Sequence, residues 1–462
     1  MAIIARRING GTKGKPFNTV ADDVAAVTGI EAEFLFEGTA SQYRLAGGLN
    51  EYAHDGRWAI EPMAHHPFRS RIIVVRPDDA RRFNGTVIVV WNNVSMGQDS
   101  FVGPEQAVRL VSDGFAIAGV SAQQVGVQGL PQMDLPAEFE NIAAQVSTGL
   151  KGGDPERYGD LEHPGDGFSY DIFRQAAELL GPKRAGTIDP LSGLEVRHVL
   201  AMGGSQSANR LATYVNAFQP VFGTLDAFLL TVYAGCPCSL NPESAPATLP
   251  QVPSNAVHLL PWRTFRLRAD LTIPIIVLNS EFEAEQCHPN TQEDTEFLRW
   301  WEIAGTAHGG LASPQDLEAL VSMMPSANRV SFAPASRGAL HALQRWLEGN
   351  GPAPHQPRLT KTGRPPALPR DEQGNATGGI RWPDLEAPLG THVGESPPWG
   401  FVQLFGSTTA FPAEKVRALY PDHQAWLDKY EAATRRLVES QVVLPDEAAQ
   451  MIARASAAEL TL

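Results

Sequence analysis

The feature that most constrains this fold is the alternation of short apolar runs with helix-like stretches along most of the chain. Eight runs rich in valine, isoleucine, leucine or phenylalanine are separated by segments with helical spacing. This pattern is typical of a mostly parallel sheet with helices on both faces. It predicts an α/β fold with an eight-stranded central sheet. The predicted strands are Ala32–Gly38, Arg71–Pro77, Gly85–Asn93, Gly114–Gln123, Val196–Met202, Asp226–Gly235, Ile273–Ser280 and Glu296–Gly305.

Two stretches depart from this alternation. Cys236–Asp270 is rich in proline and serine and separates two predicted central strands. So long an excursion is uncommon unless it covers or lines a binding site. Gly349–Pro388 is rich in proline and glycine and precedes a helical tail, Pro412–Leu462. We therefore expect a core over residues 1–350 with a lid-like excursion at 236–270, and an extension over 351–462 packed on that core.

Composition narrows the classes of partner. The 462-residue chain carries a net charge of −14, which argues against nucleic acid or an anionic membrane surface as its main partner. It shows no signal-peptide pattern and no apolar run long enough to cross a membrane. The three cysteines, Cys236, Cys238 and Cys287, lack metal-ligand or redox spacing. We expect a cytoplasmic protein without a metal or other cofactor, and the oligomeric state stays open.

A serine lies at the junction of the fifth predicted strand and a following helix. "AMGGSQSANRL" places Ser205 between Gly204 and Gln206, in a G-x-S-x-S pattern. A sharp strand-to-helix turn raises a serine hydroxyl above the sheet edge and directs backbone N–H groups at a developing oxyanion. Serine replaces the usual last glycine of such turns at Ser207. The alternative is that Ser205 is only a helix N-cap.

The later part of the chain supplies partners in the order that a serine hydrolase on such a sheet requires. Glu281 and Glu283 follow the seventh predicted strand, and His308 follows the eighth in a small-residue loop, "AGTAHGG". Catalytic groups collect at the carboxyl ends of strands in open α/β sheets. His308 is the predicted base. Glu283 is the favoured acid and Glu281 the alternative.

Two backbone N–H donors are expected to form an oxyanion hole. One is Gln206, directly after the serine. The other lies in the loop after the third predicted strand, "WNNVSMGQDS", where Asn93 or Val94 is the candidate.

Several motifs together resemble the α/β-hydrolase superfamily. They are "VVWNNVSMGQDSF", "RYGDLEHPGDGFSYDIF", "AMGGSQSANRL", "RWWEIAGTAHGG", "GNATGGIRWPDLEAPLG" and "QLFGSTTAFP". The chain is most similar to a subgroup of bacterial, esterase-like "alpha/beta hydrolase domain" proteins of about this length. Members have "NVSGG" and "SETD" where this chain has "NVSMG" and "SEFE". The resemblance implies a triad of Ser205, Glu283 and His308, although Glu281 also matches the second motif.

These observations lead to a functional hypothesis. We expect a serine hydrolase that cleaves a carboxylic ester of a small or medium-sized molecule through an acyl-enzyme. A lactonase, an amidase or an acyltransferase would use the same triad. A non-catalytic binding protein on the hydrolase fold is the alternative of another class.

Overall fold

The computed structural model describes residues 2–48, 52–95, 97–129, 148–184, 186, 188–241, 265–286, 291–363, 367–395 and 400–458. The chain divides into two compact units. The first comprises Met1–Leu230 and Cys236–Ile273, and the second comprises Thr231–Gly235 and Pro274–Leu462. Most of the predicted lid-like excursion, residues 242–264, lies outside the described residues.

The sheet strands of the first unit are β1 (Ile3–Ile8), β2 (Gly29–Leu45), β3 (Ile60–Pro77), β4 (Thr86–Trp91), β5 (Ala116–Val120), β6 (His198–Gly204) and β7 (Ala227–Thr231). Their order across the sheet is β1-β2-β3-β5-β4-β6-β7. The pairs β1–β2, β2–β3 and β3–β5 are antiparallel, whereas β4 is parallel to both β5 and β6. The last residue of β7 belongs to the second unit.

The apolar runs of the sequence explain the centre of this sheet. Every residue of β4, β5 and β7 is buried, as expected for strands covered on both faces. The helices of the first unit are α1 (Ala21–Ala25), α2 (Pro104–Ser112), α3 (Gln124–Gln128), α4 (Gly149–Gly153), α5 (Pro155–Tyr158), α6 (Ser169–Leu180), α7 (Gln206–Thr213) and α8 (Gln219–Phe222). A π-helical turn over Tyr214–Phe218 joins α7 to α8.

The second unit is built on two parallel strands, β8 (Ile275–Ser280) and β9 (Leu298–Ile303). Val232 donates its N–H to the Leu278 carbonyl, which places the short segment Thr231–Gly235 beside β8. The helices are α9 (Glu281–Gln286), α10 (Pro314–Met323), α11 (Ala333–Leu347), α12 (Pro383–Glu386), α13 (Ala413–Leu419), α14 (His423–Glu439) and α15 (Pro445–Ala457). The hairpin β10 (Gly390–Val393) and β11 (Ser407–Ala410) completes this unit.

The segment after residue 350 contacts β9 and α11 through polar groups. Glu302 of β9 accepts hydrogen bonds from the Leu359 N–H and from Lys361 Nζ, at 2.9 and 2.7 Å. Arg337 of α11 binds Asp446 and Glu447 at the start of α15. The Pro/Gly-rich stretch is therefore hydrogen-bonded to strand β9 of the second unit through Leu359 and Lys361.

The predicted α/β class is confirmed, and all eight predicted strands are present. The described residues contain three strands more. Ile3–Ile8 forms β1 beside β2, and β10 and β11 form the hairpin of the second unit. The sheet strands β2 and β3 are also much longer than predicted, with 17 and 18 residues.

Candidate active site

Ser205 lies on a sharp turn between β6 and α7. Its backbone has φ 59° and ψ −123°, a conformation that costs a non-glycine residue about 1–3 kcal/mol. The Ser205 carbonyl accepts the first hydrogen bond of α7 from Asn209, at 3.1 Å. The hydroxyl, however, makes no capping hydrogen bond. The reading of Ser205 as a side-chain N-cap therefore has no support in its contacts.

The residues two before and two after Ser205 explain the unusual G-x-S-x-S pattern. A Cβ at Gly203 would approach Leu211 Cδ1 to 2.9 Å and Ser207 Cβ to 3.0 Å, so this position requires glycine. Ser207 is already the second residue of α7 and is fully buried. Since that position has helical geometry, serine fits where the common pattern has glycine.

The loop after β4, Trp91–Ser100, is joined directly to the serine turn. We call it the β4 loop. Asn93 donates its side-chain amide to the Gly204 carbonyl at 2.9 Å and its backbone N–H to the Ser100 carbonyl at 3.0 Å. The Val94 N–H makes only a long contact, 3.4 Å, to Oε1 of Gln206. Of the two predicted donors, Asn93 already donates its backbone N–H to a carbonyl oxygen, whereas the Val94 N–H makes a longer and weaker hydrogen bond.

A fully buried ion cluster fixes the other end of the β4 loop. Asp99 accepts hydrogen bonds from Arg71 Nη2 at 2.6 Å and from Ser121 Oγ at 2.7 Å. Arg71 also binds Glu33 at 2.7 Å, and Glu33 in turn binds Arg157. Burial opposes the charge of Arg71, but the carboxylates of Asp99 and Glu33 outweigh it and raise the pKa of the guanidinium.

In the second unit, Glu283 and His308 form a close pair. Glu283, on α9, accepts a hydrogen bond from His308 Nδ1 on its Oε1, at 2.5 Å. Its Oε2 accepts from the Ser280 N–H at 3.2 Å and from Ser280 Oγ at 2.5 Å. With the proton on Nδ1, the Nε2 atom of His308 is the acceptor nitrogen. The carboxylate is 1% exposed and the imidazole 19%, so the pair is buried with one edge accessible.

Close packing explains the glycines around His308. A Cβ at Gly309 would lie 2.7 Å from Phe405 Cδ1, and one at Gly310 would lie 2.6 Å from the Val330 carbonyl. The histidine loop, Ala304–Gly310, is thus held against its neighbours. The imidazole ring of His308 also makes an edge-to-face contact with the ring of Phe282, with centroids 6.1 Å apart.

Glu281, the alternative acid, has a different set of partners. Its carboxylate accepts hydrogen bonds from Arg370 at 2.5 Å, from the Gly305 N–H at 2.7 Å and from the Gly394 N–H at 3.1 Å. Burial raises its pKa, and Arg370 opposes that shift. The structure therefore brings Glu283, but not this carboxylate, to the ring of His308, and Glu281 braces the start of the histidine loop.

Residues 4–453 match the sequence profile of a family described as alpha/beta hydrolase domain. The chain belongs to this family. No curated protein sequence matches it.

Solved structures of esterases resemble this alpha/beta hydrolase at low identity. A ferulic acid esterase from Streptomyces cinnamoneus is 11% identical, with 61% of this chain and 78% of that chain covered and a TM-score of 0.30. A cold-adapted esterase from an Arctic intertidal metagenomic library is 10% identical, with coverages of 59% and 86% and a TM-score of 0.26. An acetyl xylan esterase from Paenibacillus sp. R4 is 14% identical, with coverages of 50% and 53% and a TM-score of 0.23.

The remaining polar candidates of this alpha/beta hydrolase have structural partners. Arg381 binds Asp371 and Glu386, so its charge is paired within the second unit. Cys236 and Cys238 are buried free thiols, and Cys287 lies outside the described residues. In the part of the chain that the structure describes, no three potential metal ligands cluster. None of the helices described there is long and apolar enough to span a membrane.

Sequence reasoning missed the ion pairs that support the β4 loop and the histidine loop. Arg71 and Asp99 support the β4 loop, and Glu281 with Arg370 supports the histidine loop. A charged residue beside an apolar strand run, as in "RIIVVRP", was the available signal for Arg71, since a buried charge needs a partner. No comparable signal marks Arg370, which lies in a Pro/Gly-rich stretch.

Proposed function

We propose that this protein hydrolyses a carboxylic ester, with Ser205 as nucleophile, His308 as general base and Glu283 as the acid that orients the imidazole. The observation that carries the proposal is the backbone of Ser205, strained at a strand-to-helix turn while its hydroxyl caps nothing. Strain of this kind clusters at active sites, where surrounding structure maintains it. The short hydrogen bond between Glu283 and His308 gives independent support.

The reaction is a two-step acyl transfer. His308 Nε2 takes the proton from Ser205 Oγ as that oxygen bonds to the ester carbonyl carbon. The tetrahedral oxyanion then collapses, the carbon–oxygen bond to the alcohol breaks, and the alcohol leaves with the proton from His308. Water, deprotonated by the same imidazole, attacks the acyl-enzyme and releases the acid and Ser205. No metal or cofactor is required for these steps.

Backbone amides provide the oxyanion hole in this proposal. Gln206 is the first residue of α7, and the first N–H groups of a helix have no intrahelical acceptor. Val94 is the second donor, rather than Asn93, because the Asn93 N–H is bonded to the Ser100 carbonyl. Glu283 is preferred to Glu281 because its carboxylate holds Nδ1 of His308, whereas Glu281 is bonded to Arg370.

We propose an ester of a small or medium-sized molecule, because a large share of the chain lies outside the predicted strands and can cover a selective pocket. The small, odd number of cysteines favours the cytoplasm as its location.

The test is intact-mass analysis after incubation with a fluorophosphonate. We expect one adduct on the wild type and none on Ser205→Ala, because only an activated serine displaces fluoride from phosphorus at a useful rate. Ser207→Ala is the matched control, since Ser207 is a buried serine two residues away, and it should still be labelled. A panel of p-nitrophenyl esters of increasing acyl length then measures the size of the pocket.

The contrary outcome is equally clear. A folded wild type that takes no adduct and cleaves no ester would overturn the proposal and favour a binding protein on the hydrolase fold. Labelling that persists in Ser205→Ala would place the nucleophile elsewhere.

A further inference from the structure

The side chain of Gln206 lies at the proposed oxyanion hole. Gln206 is 3% exposed, and its Oε1 is 3.4 Å from the backbone nitrogen of Val94. This is longer than the usual 2.7–3.2 Å of an N–H···O hydrogen bond. The contact therefore fixes which end of the amide faces Val94 but holds that N–H weakly.

The other end of the same amide has no acceptor. The Nε2 atom of Gln206 is buried, and none of the described residues accepts a hydrogen bond from it. An NH₂ group carries two donor hydrogens, and burying it without a partner is unfavourable. Turning the amide over would not help, because Nε2 would then face the Val94 N–H, donor against donor.

Among the buried glutamines described in the first unit, this feature is specific to Gln206. Four other buried glutamines of the first unit each donate a hydrogen bond from Nε2 to a carbonyl, amide or carboxylate oxygen. Gln42 donates to Asn241 and Gln123 donates to Asp166. Gln175 donates to Thr39 and to Asp171, and Gln219 donates to Leu225. These distances are 2.7–3.2 Å. An unpaired donor is thus not a general property of the buried glutamines in the first unit.

We infer that the side-chain amide of Gln206 is a third donor to the oxyanion, in addition to the two backbone amides; the inference rests on the ester hydrolysis proposed above. An oxyanion bound 2.7–3.1 Å from the Val94 N–H competes directly with Oε1 of Gln206 for that hydrogen. When the oxyanion takes it, the Gln206 amide is released beside a negative oxygen. Its NH₂ group then has the acceptor that it lacks in the free protein.

A third oxyanion donor affects catalysis more than it affects substrate binding. The ester carbonyl of the ground state is a weak acceptor, whereas the tetrahedral oxyanion is a strong one. A donor aimed at the oxyanion therefore lowers the barrier more than it tightens substrate binding. Loss of one such donor reduces kcat by roughly 10²–10³ in serine hydrolases that have been probed this way.

The experiment compares Gln206→Met, Gln206→Glu and the control Gln175→Met in p-nitrophenyl ester hydrolysis. Methionine keeps a similar volume without a donor, and we expect kcat to fall by about 10² with little change in KM. Glutamate adds a negative charge beside the oxyanion and should lower kcat further. Gln175 is equally buried on α6, and its substitution should leave kcat per active site unchanged.

Active sites are counted by fluorophosphonate titration, so that misfolded protein does not enter the rates. Unchanged or increased kcat in Gln206→Met would overturn the inference, because Gln206 would then only occupy the Val94 N–H. A rise in KM alone would also overturn it, since the amide would bind substrate and transition state equally. Failure of the wild type itself to be labelled at Ser205 would instead overturn the ester hydrolysis, and this inference with it.

Discussion

The β4 loop and the histidine loop each have a buried ion pair behind them, and the two pairs differ in how completely they are enclosed. In the first unit, Arg71 and Asp99 are both 0% exposed, and they join the β4 loop to β3. In the second unit, Glu281 is 0% exposed, but its partner Arg370 keeps 29% of its side chain accessible. The first pair is also part of a larger cluster with Glu33 and Arg157, whereas Glu281 is otherwise bonded to backbone N–H groups.

The difference teaches that the two loops depend on their supports in different ways. A buried charge that loses its partner cannot recruit water, and breaking such a pair costs about 3–5 kcal/mol. A pair with one accessible partner can be partly replaced by solvent. We therefore expect that breaking the first pair destabilises the first unit as a whole together with the β4 loop. Breaking the second pair should destabilise the histidine loop only moderately.

The largest expected effect is a loss of kcat, and it follows from the substitution of Glu283. In Glu283→Gln, kcat for a p-nitrophenyl ester should fall by about 10⁴, because an amide can stabilise the wrong tautomer of His308 and does not stabilise the imidazolium. The measurement is kcat per folded protein, with thermal unfolding as the check on folding. Glu281→Gln is the control, two residues away and equally buried. A greater loss of kcat in that control would exchange the roles of the two carboxylates.

The choice between these carboxylates shows where sequence reasoning ends. Glu281 and Glu283 are two positions apart on α9, and successive helical residues are about 100° apart around the axis. Their side chains therefore point in different directions, so only one faces His308. The phase of a short helix depends on its packing, and the sequence pattern alone could leave only two candidates.

The strands and the serine turn were predictable for the opposite reason, since local periodicity and chain order determine them. Among the strands that were not predicted, β1 lacks that periodicity. Its buried isoleucines, Ile4 and Ile8, are separated by a register shift between Ile4 and Arg6, while Ile3 is 54% exposed. The ion cluster was unpredictable in another way, because Arg71 finds its partners Glu33 and Asp99 38 and 28 residues away.

The next largest effect is a loss of stability. It should be much greater when the enclosed Arg71–Asp99 pair is broken than when an exposed ion pair is broken. Asp99→Asn should lower the free energy of unfolding by about 3–5 kcal/mol, because Arg71 would keep its charge with one carboxylate fewer. Urea denaturation measures the change. Asp79→Asn is the matched control, since Asp79 pairs with an arginine that is 90% exposed, and it should hardly change stability. Equal effects in the two variants would mean that enclosure does not decide the cost.

The smallest effect is a pH-dependent one at the partly open pair. Arg370→Met should lower the free energy of unfolding by about 1–3 kcal/mol at pH 7, because the buried carboxyl group of Glu281 loses its ion-pair partner. Burial already raises the pKa of Glu281 above its usual 4.5, and removing Arg370 raises it further. The folded protein therefore binds the Glu281 proton more tightly than the unfolded chain does.

The sign of the pH dependence follows from this difference in proton binding. Since the folded state holds more protons above pH 4.5, its stability falls as pH rises from there through the raised pKa of Glu281. The cost of Arg370→Met should thus be small near pH 4 and largest at neutral pH, in urea denaturation at a series of pH values. Adding Glu281→Gln should flatten that dependence, because the titrating group is gone. A cost that is independent of pH would show that Arg370 acts through packing rather than through the charge of Glu281. The Arg71–Asp99 and Glu281–Arg370 pairs would then differ only in how completely they are enclosed.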